Sequence, residues 1–316
     1  MAQWDITEDL IMKKSVLLLA ALMFTATFSS CLKDKEGEYK PKEQISRVFR
    51  DYGEGEGKEL KEVWNWDKKI LSSIDHYSDG YLSWTEDFTY NEKNQLERVD
   101  CYADRETVEY IYDGNKLNKS TYYDNGSIEE EYIFKYDGNK ISEIEIFYMD
   151  KSKGEKRLLN EGHNPIKMML DENSYQEVNK FIAKKEASRY IITMKLEWEK
   201  NNVSKMTLEA GTERLVYDFK HDDKINPYKN FFDLYTFYSE EWIDVELSFS
   251  KNNVTEALAT YTDEGESETL ITKYSYTYDG KVPTVQRATY TGQYYDYWED
   301  EYYTETYTVS TYYEYE

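Results

Sequence analysis

Apolar and polar positions alternate along most of this chain with a period of two, and turn residues interrupt the alternation at short intervals. The clearest stretch is Phe134–Tyr148. Phe134 and Tyr136 stand two apart on one side of a strand, Asp137-Gly138 follows, and Ile144, Ile146 and Tyr148 return on one side of a second strand. Lys135, Glu143 and Glu145 take the other side. Glycine adopts positive φ without steric cost and aspartate tolerates it, so Asp-Gly between two alternating runs predicts a β-hairpin. One face of that hairpin is apolar and the other charged.

The phrase recurs. Aromatic or leucine pairs spaced by two stand at Trp64/Trp66, Phe88/Tyr90, Tyr110/Tyr112, Phe134/Tyr136, Leu196/Trp198, Tyr217/Phe219, Leu247/Phe249 and Tyr276/Tyr278. An aliphatic residue follows each turn, at Leu71, Leu96, Leu117, Ile141, Val203, Ile225, Val254 and Val282. Three positions later an apolar residue returns at Ile74, Val99, Ile144, Met206, Ala257 and Val285, with Ser120 and Tyr228 as departures. Ile45 and Val48 read as a half-copy that supplies the first strand. Short turns join antiparallel neighbours, and a unit repeated this often defines the architecture. The predicted fold is all-β: a large curved antiparallel meander sheet, or barrel-like sheet, built from hairpin repeats, with about sixteen strands or more. The chain closes on Tyr302–Glu316, where Thr304, Thr306, Thr308 and Ser310 share one face and Tyr307, Val309 and Tyr313 the other.

Two stretches depart from the period. Residues 149–188 form an insertion in which Tyr175, Val178, Phe181, Ile182 and Ala187 have the spacing of a short amphipathic helix, with Asp171 or Asn173 as cap. A sheet with one apolar face needs a cover, and this insertion is predicted to supply part of it. Asp222–Tyr228 reads as a loop because Pro227 lacks a donor and restricts Asn226. Phe231–Tyr238 is an aromatic segment suited to a second helical turn or cover.

The N-terminus changes the picture of where the protein resides. Met12–Phe24 has a basic start and an apolar run of signal-peptide length. Residues 1–11 carry Asp5, Glu8 and Asp9, which do not suit such a start, so Met12 reads as the true one. Thr27-Phe-Ser-Ser-Cys31 resembles the bacterial lipobox, which implies cleavage before Cys31 and a lipid on its sulfur. Leu32–Glu38 resembles the Lys/Asp/Glu signal that sends lipoproteins of Bacteroidota to the cell surface. The organisation is then a signal peptide over 1–30, a lipidated tether over 31–42 and a single hairpin-repeat domain over 43–316 carrying the insertion. With Cys31 acylated, Cys101 is the only remaining thiol and no internal disulfide forms; Cys101 lies on the apolar parity as a small buried hydrophobe.

The hairpin phrase Tyr-Asp-Gly-Asn-Lys-Ile/Leu is similar to the YD repeats of Rhs-type proteins. Together with the lipobox, the Tyr-rich hairpins and Asp223–Tyr228, it resembles an uncharacterised lipoprotein family of Bacteroidota, described as domains of unknown function with a porin-like fold. The resemblance spans residues 31–316. It implies an outer-membrane, lipid-anchored location, on the cell surface or on the periplasmic face, and no catalytic residue. A membrane-spanning barrel needs an outward apolar band, whereas these strands alternate apolar with Glu, Lys, Thr and Asp; a soluble curved sheet or barrel with an apolar interior is expected.

Composition adds limits. The formal net charge of −24 repels nucleic acid and anionic lipid, leaving the N-terminal lipid as the membrane contact. The three histidines, His76, His163 and His221, form no metal-ligand spacing, so no metal and no cofactor are expected; His76 falls on the inward parity, and His221-Asp222-Asp223 reads as a solvated loop before it reads as a cation site. No phosphate-binding loop or nucleophile elbow appears. The protein is therefore expected to be non-enzymatic, a binding or scaffold module. Two alternatives stay open: a surface lipoprotein that binds or processes glycan, in which a carboxylate pair is defined only in space, and a carrier of an apolar ligand inside the curved sheet. The excess of tyrosine, 33 residues, fills the inner face, or else anchors a glycan or an envelope protein. The densest aromatic patch is Tyr294, Tyr295, Tyr297, Trp298, Tyr302 and Tyr303.

Overall fold

The structure, a computed structural model, describes residues 35–53, 57–101, 105–148, 190–211, 213–232, 248–263, 266–296 and 301–316. Residues 36–316 form one compact unit. Among the described residues the chain builds β1 (Ile45–Asp51), β2 (Glu59–Asp67), β3 (Ile70–Ser78), β4 (Tyr81–Tyr90), β5 (Leu96–Cys101), β6 (Glu106–Asp113), β7 (Lys116–Asp124), β8 (Ser127–Asp137), β9 (Lys140–Tyr148), β10 (Tyr190–Glu199), β11 (Asn202–Ala210), β12 (Glu213–Ile225), β13 (Asn252–Asp263), β14 (Glu266–Asp279), β15 (Val282–Asp296) and β16 (Glu301–Tyr315). Each strand pairs antiparallel with the next, and β16 pairs with β1, so the meander closes into a barrel. Closure removes the exposed sheet edges that an open meander leaves. The predicted helix in the insertion lies outside the described residues.

The repeated phrase becomes a fixed register. Trp66 pairs with Leu71 and Trp64 with Ile74; Tyr136 pairs with Ile141 and Phe134 with Ile144; Trp198 pairs with Val203 and Leu196 with Met206. One extra residue separates the two post-turn positions, so every such hairpin contains a bulge next to its second aromatic residue. The bulged residue is often Ser or Thr, and its hydroxyl bonds the facing carbonyl: Ser72 Oγ donates to Asn65 O (2.8 Å), Ser204 Oγ to Glu197 O (3.2 Å) and Thr284 Oγ1 to Thr277 O (3.2 Å). The second aromatic residue crosses to the neighbouring hairpin. Trp66 Nε1 donates to Ile45 O, Tyr90 OH to Leu71 O, Tyr136 OH to Leu117 O, Trp198 Nε1 to Ile141 O and Tyr315 OH to Pro283 O, at 2.6–2.9 Å. The accepting carbonyl belongs each time to the residue at the bulge, where the ladder is locally interrupted. Turn lysines add to the link: Lys116 Nζ lies 4.5 Å from the Tyr136 ring centre and Lys140 Nζ 5.2 Å from that of Trp198.

The register corrects three details of the sequence reading. The units assigned to Tyr217/Phe219 and Leu247/Phe249 are halves of one hairpin: Phe219 pairs with Ala257 and His221 with Val254, so His221 occupies the second aromatic position and residues 226–251 form the connection. On β15 the inward positions are Pro283 and Gln286, which pair with Tyr278 and Tyr276, in place of Val282 and Val285. The half-copy Ile45/Val48 finds its other half at the opposite end of the chain, because Tyr315 pairs with Ile45 and Tyr313 with Val48 around the same bulge. The eighth unit is thus split between the termini.

The two walls differ. Ile45, Leu71, Ile74, Leu117, Ile144, Ile146, Met194 and Met206 are fully buried on the inner side. The outer side carries ion pairs between adjacent strands, including Lys135 with Glu143 (2.6 Å), Lys195 with Glu209 (2.6 Å), Lys205 with Asp218 (3.1 Å) and Lys220 with Glu256 (2.7 Å), and threonine ladders such as Thr289–Thr308 (3.1 Å). Exposed pairs of this kind contribute little stability each; they mark the outer wall as the polar one.

Candidate functional site: a plugged end and an open inner wall

The two ends of the barrel are chemically unlike. The near end carries the β2–β3, β4–β5, β6–β7, β8–β9, β10–β11, β12–β13 and β14–β15 connections together with the start of β1 and the end of β16. Two segments from outside the repeat enter the barrel there. Tyr39 is buried, its ring 5.2 Å from Phe231 and 5.8 Å from Trp66, and its hydroxyl donates to Pro227 O (2.8 Å). Phe231 packs on Trp64 (4.8 Å) and Phe88 (6.2 Å), Tyr228 on Tyr313 (6.0 Å), and Phe232 on Tyr110 (6.1 Å) and Phe249 (6.2 Å). The sequence placed an aromatic cover at Phe231, and Phe231 and Phe232 do fill the interior; residues 233–238 of that segment, like the insertion 149–188, lie outside the described residues. The apolar half of the barrel is filled by the chain's own rings.

The entry of the N-terminal segment is stapled. Glu36 N donates to Asn115 O (3.1 Å), Leu96 N to Gly37 O (2.8 Å) and Gln95 Nε2 to Glu36 O (3.1 Å). The Glu36 carboxylate receives Leu117 N (2.7 Å) and the Tyr136 hydroxyl. Gly37 has φ of +74°, and a β-carbon there would overlap the buried Tyr112 hydroxyl, so only glycine fits. No local pattern in Leu32–Lys42 announces this docking; Tyr39, the one aromatic in a run of charges, is the single hint.

Burial raises the Glu36 carboxyl above its ordinary value, opposed by the hydrogen bonds from Tyr136 and Leu117. A carboxyl raised in the folded state contributes stability that is whole below its ordinary pKa and falls as pH rises through the raised value. Glu36→Gln keeps an acceptor for both donors and removes the charge. It should match or exceed the wild type in melting temperature at neutral pH and flatten the decline between acid and neutral pH; Glu36→Ala, which removes the acceptor, should melt lower at both. A Gln variant that melts well below the wild type at neutral pH contradicts this account.

Further from the plug the inner wall turns polar. Trp64 Nε1 donates to Glu62 (2.7 Å), Tyr122 OH to Glu106 (2.6 Å) and Tyr132 OH to Glu130 (2.5 Å). His76 lies on the inward parity as read from the sequence; its ring stacks on Trp84 (4.7 Å between centres) and its Nε2 stands 3.6 Å from the buried Glu86 carboxylate. Back at the near end, where β12 meets the β12–β13 connection, His221 Nε2 meets Ser250 Oγ at 3.1 Å, and burial lowers its pKa against Asp222 and Glu199. Asp222 is a hydrogen-bond hub, accepting from Lys224 N (2.8 Å), Asn253 N (3.2 Å) and the Tyr278 hydroxyl. These are the partners of a structural aspartate at the β12–β13 connection. Among the described residues no group of three or more His, Cys, Asp or Glu is placed to hold a metal ion.

With this geometry in place, comparison with solved structures gives several matches, among them two porin-like proteins. The chain is similar to a porin-like protein from Bacteroides uniformis, at 13% identity and a TM-score of 0.48 over 86% of this chain and 98% of that one. It is also similar to a porin-like protein from Bacteroides vulgatus, at 9% identity and a TM-score of 0.47 over 87% and 99%. No protein-family model and no curated protein matches.

The sequence-predicted site residues fare unevenly. Cys31, Tyr297 and Trp298 lie outside the described residues. Tyr294 pairs with Tyr303 and Tyr295 with Tyr302 on successive rungs of the β15–β16 ladder at the far end of the barrel. Four residues nearer the plug, Tyr290 and Tyr307 pair and stack at 4.6 Å and 15°. Tyr307 shares the inward parity of Tyr313 yet is 40% exposed. The far rim also shows Tyr52, Tyr81 (78% exposed), Leu82 and Ile128 to solvent. Cys101 is buried, as its parity indicated.

Proposed function

We propose that this protein is a non-enzymatic binding module of the bacterial envelope, held to the outer membrane by a lipid on Cys31. Its ligand or partner is met at the far end of the barrel. The observation that carries this reading is the contrast between the walls. Charged and hydroxylated side chains pair across the outside, where a membrane-spanning barrel needs an apolar band, and each Lys or Arg placed at the bilayer midplane costs about 2–4 kcal/mol. A wall built for water reaches a membrane through its chain end. The stacked Tyr290–Tyr307 pair and the exposed rim residues supply ring faces and apolar contact of the kind that sugars and protein partners use, and they favour glycan binding over transport of an apolar ligand, because the apolar half is filled by Tyr39, Phe231 and Phe232.

Cys31→Ala should move the protein from the membrane fraction to the soluble fraction of the envelope; unchanged fractionation refutes the anchor. Screening the purified barrel against glycans tests the binding role, with Tyr307→Ala as the matched control. Specific turnover of a glycan by the wild type overturns the non-enzymatic reading.

A further inference from the structure

We infer that the near end of the barrel, with its six hairpin turns, is the face laid against the lipid bilayer, and that the far rim with Tyr81, Leu82 and Tyr307 points away from it. The inference rests on lipidation of Cys31 and deepens that reading by assigning a membrane-facing surface. Its structural basis is the staple. The N-terminal segment does not leave the barrel as a free linker: Glu36 and Gly37 are bonded to the β4–β5 and β6–β7 turns, and Tyr39 is locked among Trp64, Trp66 and Phe231. Cys31 precedes Glu36 by five residues, which reach at most about 18 Å when fully extended. The far rim is separated from the turns by strands such as the 11-residue β8, roughly 30 Å of barrel height after allowing for strand tilt. A lipid at Cys31 therefore reaches the bilayer only if the near end lies close to it. Each hairpin turn at that end carries a lysine in or beside it, Lys93, Lys116, Lys140 and Lys281 among them. Asp67, Glu92, Asp113, Asp137, Glu199 and Asp279 stand in or beside the same turns, so on a chain of net charge −24 these turns are close to neutral and repel anionic headgroups less than the chain as a whole. The far rim, where the described residues Tyr81, Leu82 and Ile128 are exposed, is then the end turned towards a partner.

The test uses the full lipidated chain in vesicles of phosphatidylcholine and phosphatidylglycerol that contain a headgroup-nitroxide lipid. Asn139→Cys labels the β8–β9 turn at the near end and Ser127→Cys the β7–β8 turn at the far end; both positions are exposed, and the native Cys101 is buried. A fluorophore at position 139 should be quenched several-fold more strongly than one at 127. Inserting a flexible Gly/Ser linker of about twelve residues between Cys31 and Glu36 should bring the two signals together. Equal quenching at the two positions in vesicle-bound protein, or stronger quenching at 127, overturns the orientation; a linker variant that keeps the difference overturns the short tether as its cause. Failure of the protein to float with the vesicles is read separately: it refutes the anchor, and the orientation falls with it.

Discussion

Removal of residues 310–316 should abolish the folded barrel. All six paired positions between β1 and β16 lie in Ser310–Tyr315, from Asp51↔Ser310 to Ile45↔Tyr315. The same seven residues contribute buried Tyr313, the Tyr315 hydrogen bond to Pro283 O, and the bond from Glu316 N to Gln44 O. Truncating a single buried aromatic side chain costs about 3–5 kcal/mol; here buried Tyr313 and half-buried Tyr315 are lost with the whole ladder, against a total stability of about 5–15 kcal/mol for an ordinary domain. The loss also leaves β1 and the stump of β16 as unpaired edges, which recruit other chains. The truncated protein should elute as soluble aggregate and show no cooperative thermal transition. A monomeric species melting within a few degrees of the intact protein would show that β1 and β16 are dispensable neighbours.

Phe231→Ala should be the most damaging single substitution in the plug, lowering stability by about 3–5 kcal/mol. Phe231 is 7% exposed and touches rings from three separate parts of the chain: Tyr39 of the N-terminal segment, Trp64 and Phe88 of the wall, and Tyr228 of its own connection. A cavity at that point is lined by rigid rings anchored on different strands, which relax poorly into it. The matched control is Ile111→Ala on the outer wall of β6, where the side chain is 52% exposed and the change should stay within about 0.5 kcal/mol. Chemical denaturation of both variants decides the matter; equal midpoints would mean that the barrel stands without its plug.

How much of this was legible in the sequence depends on how local each feature is. Asp137-Gly138 with its flanking alternation specifies a hairpin from adjacent residues, so strand identity and face parity are read directly, and Tyr307, Val309 and Tyr313 do share one face. The bulge was harder to see. Ser72, Ser142, Ser204 and Thr284 recur after the aliphatic position, but their role appears only when the facing strand is in register. Pro283 is buried at a position where the repeat calls for a bulky aliphatic residue, and His221, which its acidic neighbours give the look of a loop residue, fills an aromatic position. Tyr313 and Tyr315 have the spacing of the leading pair; their second half lies at the other end of the chain, where no search for a contiguous phrase finds it. The plug left least trace, since the docking of Glu36, Gly37 and Tyr39 depends on turns that are distant in sequence. For the candidate site, the sequence points to the aromatic C-terminal hairpin as a whole, while the stacking of Tyr290 on Tyr307, and the exposure of Tyr307, appear only once β15 and β16 are in register.

The splitting of the eighth unit between the termini has a consequence for how the chain finds its fold. Within the meander each strand pairs with its neighbour in the chain, in most cases across a short turn. The pairing of Ile45 with Tyr315 spans nearly the whole domain. Loop-closure entropy grows slowly with length, yet relative to a tight hairpin turn a closure of that span costs on the order of 4 kcal/mol more. That cost falls on the ladder that closes the barrel; together with the β9–β10 and β12–β13 pairings, which span residues 149–189 and 226–251, it holds the non-local part of the contact order, while the other seams have the locality of a hairpin array.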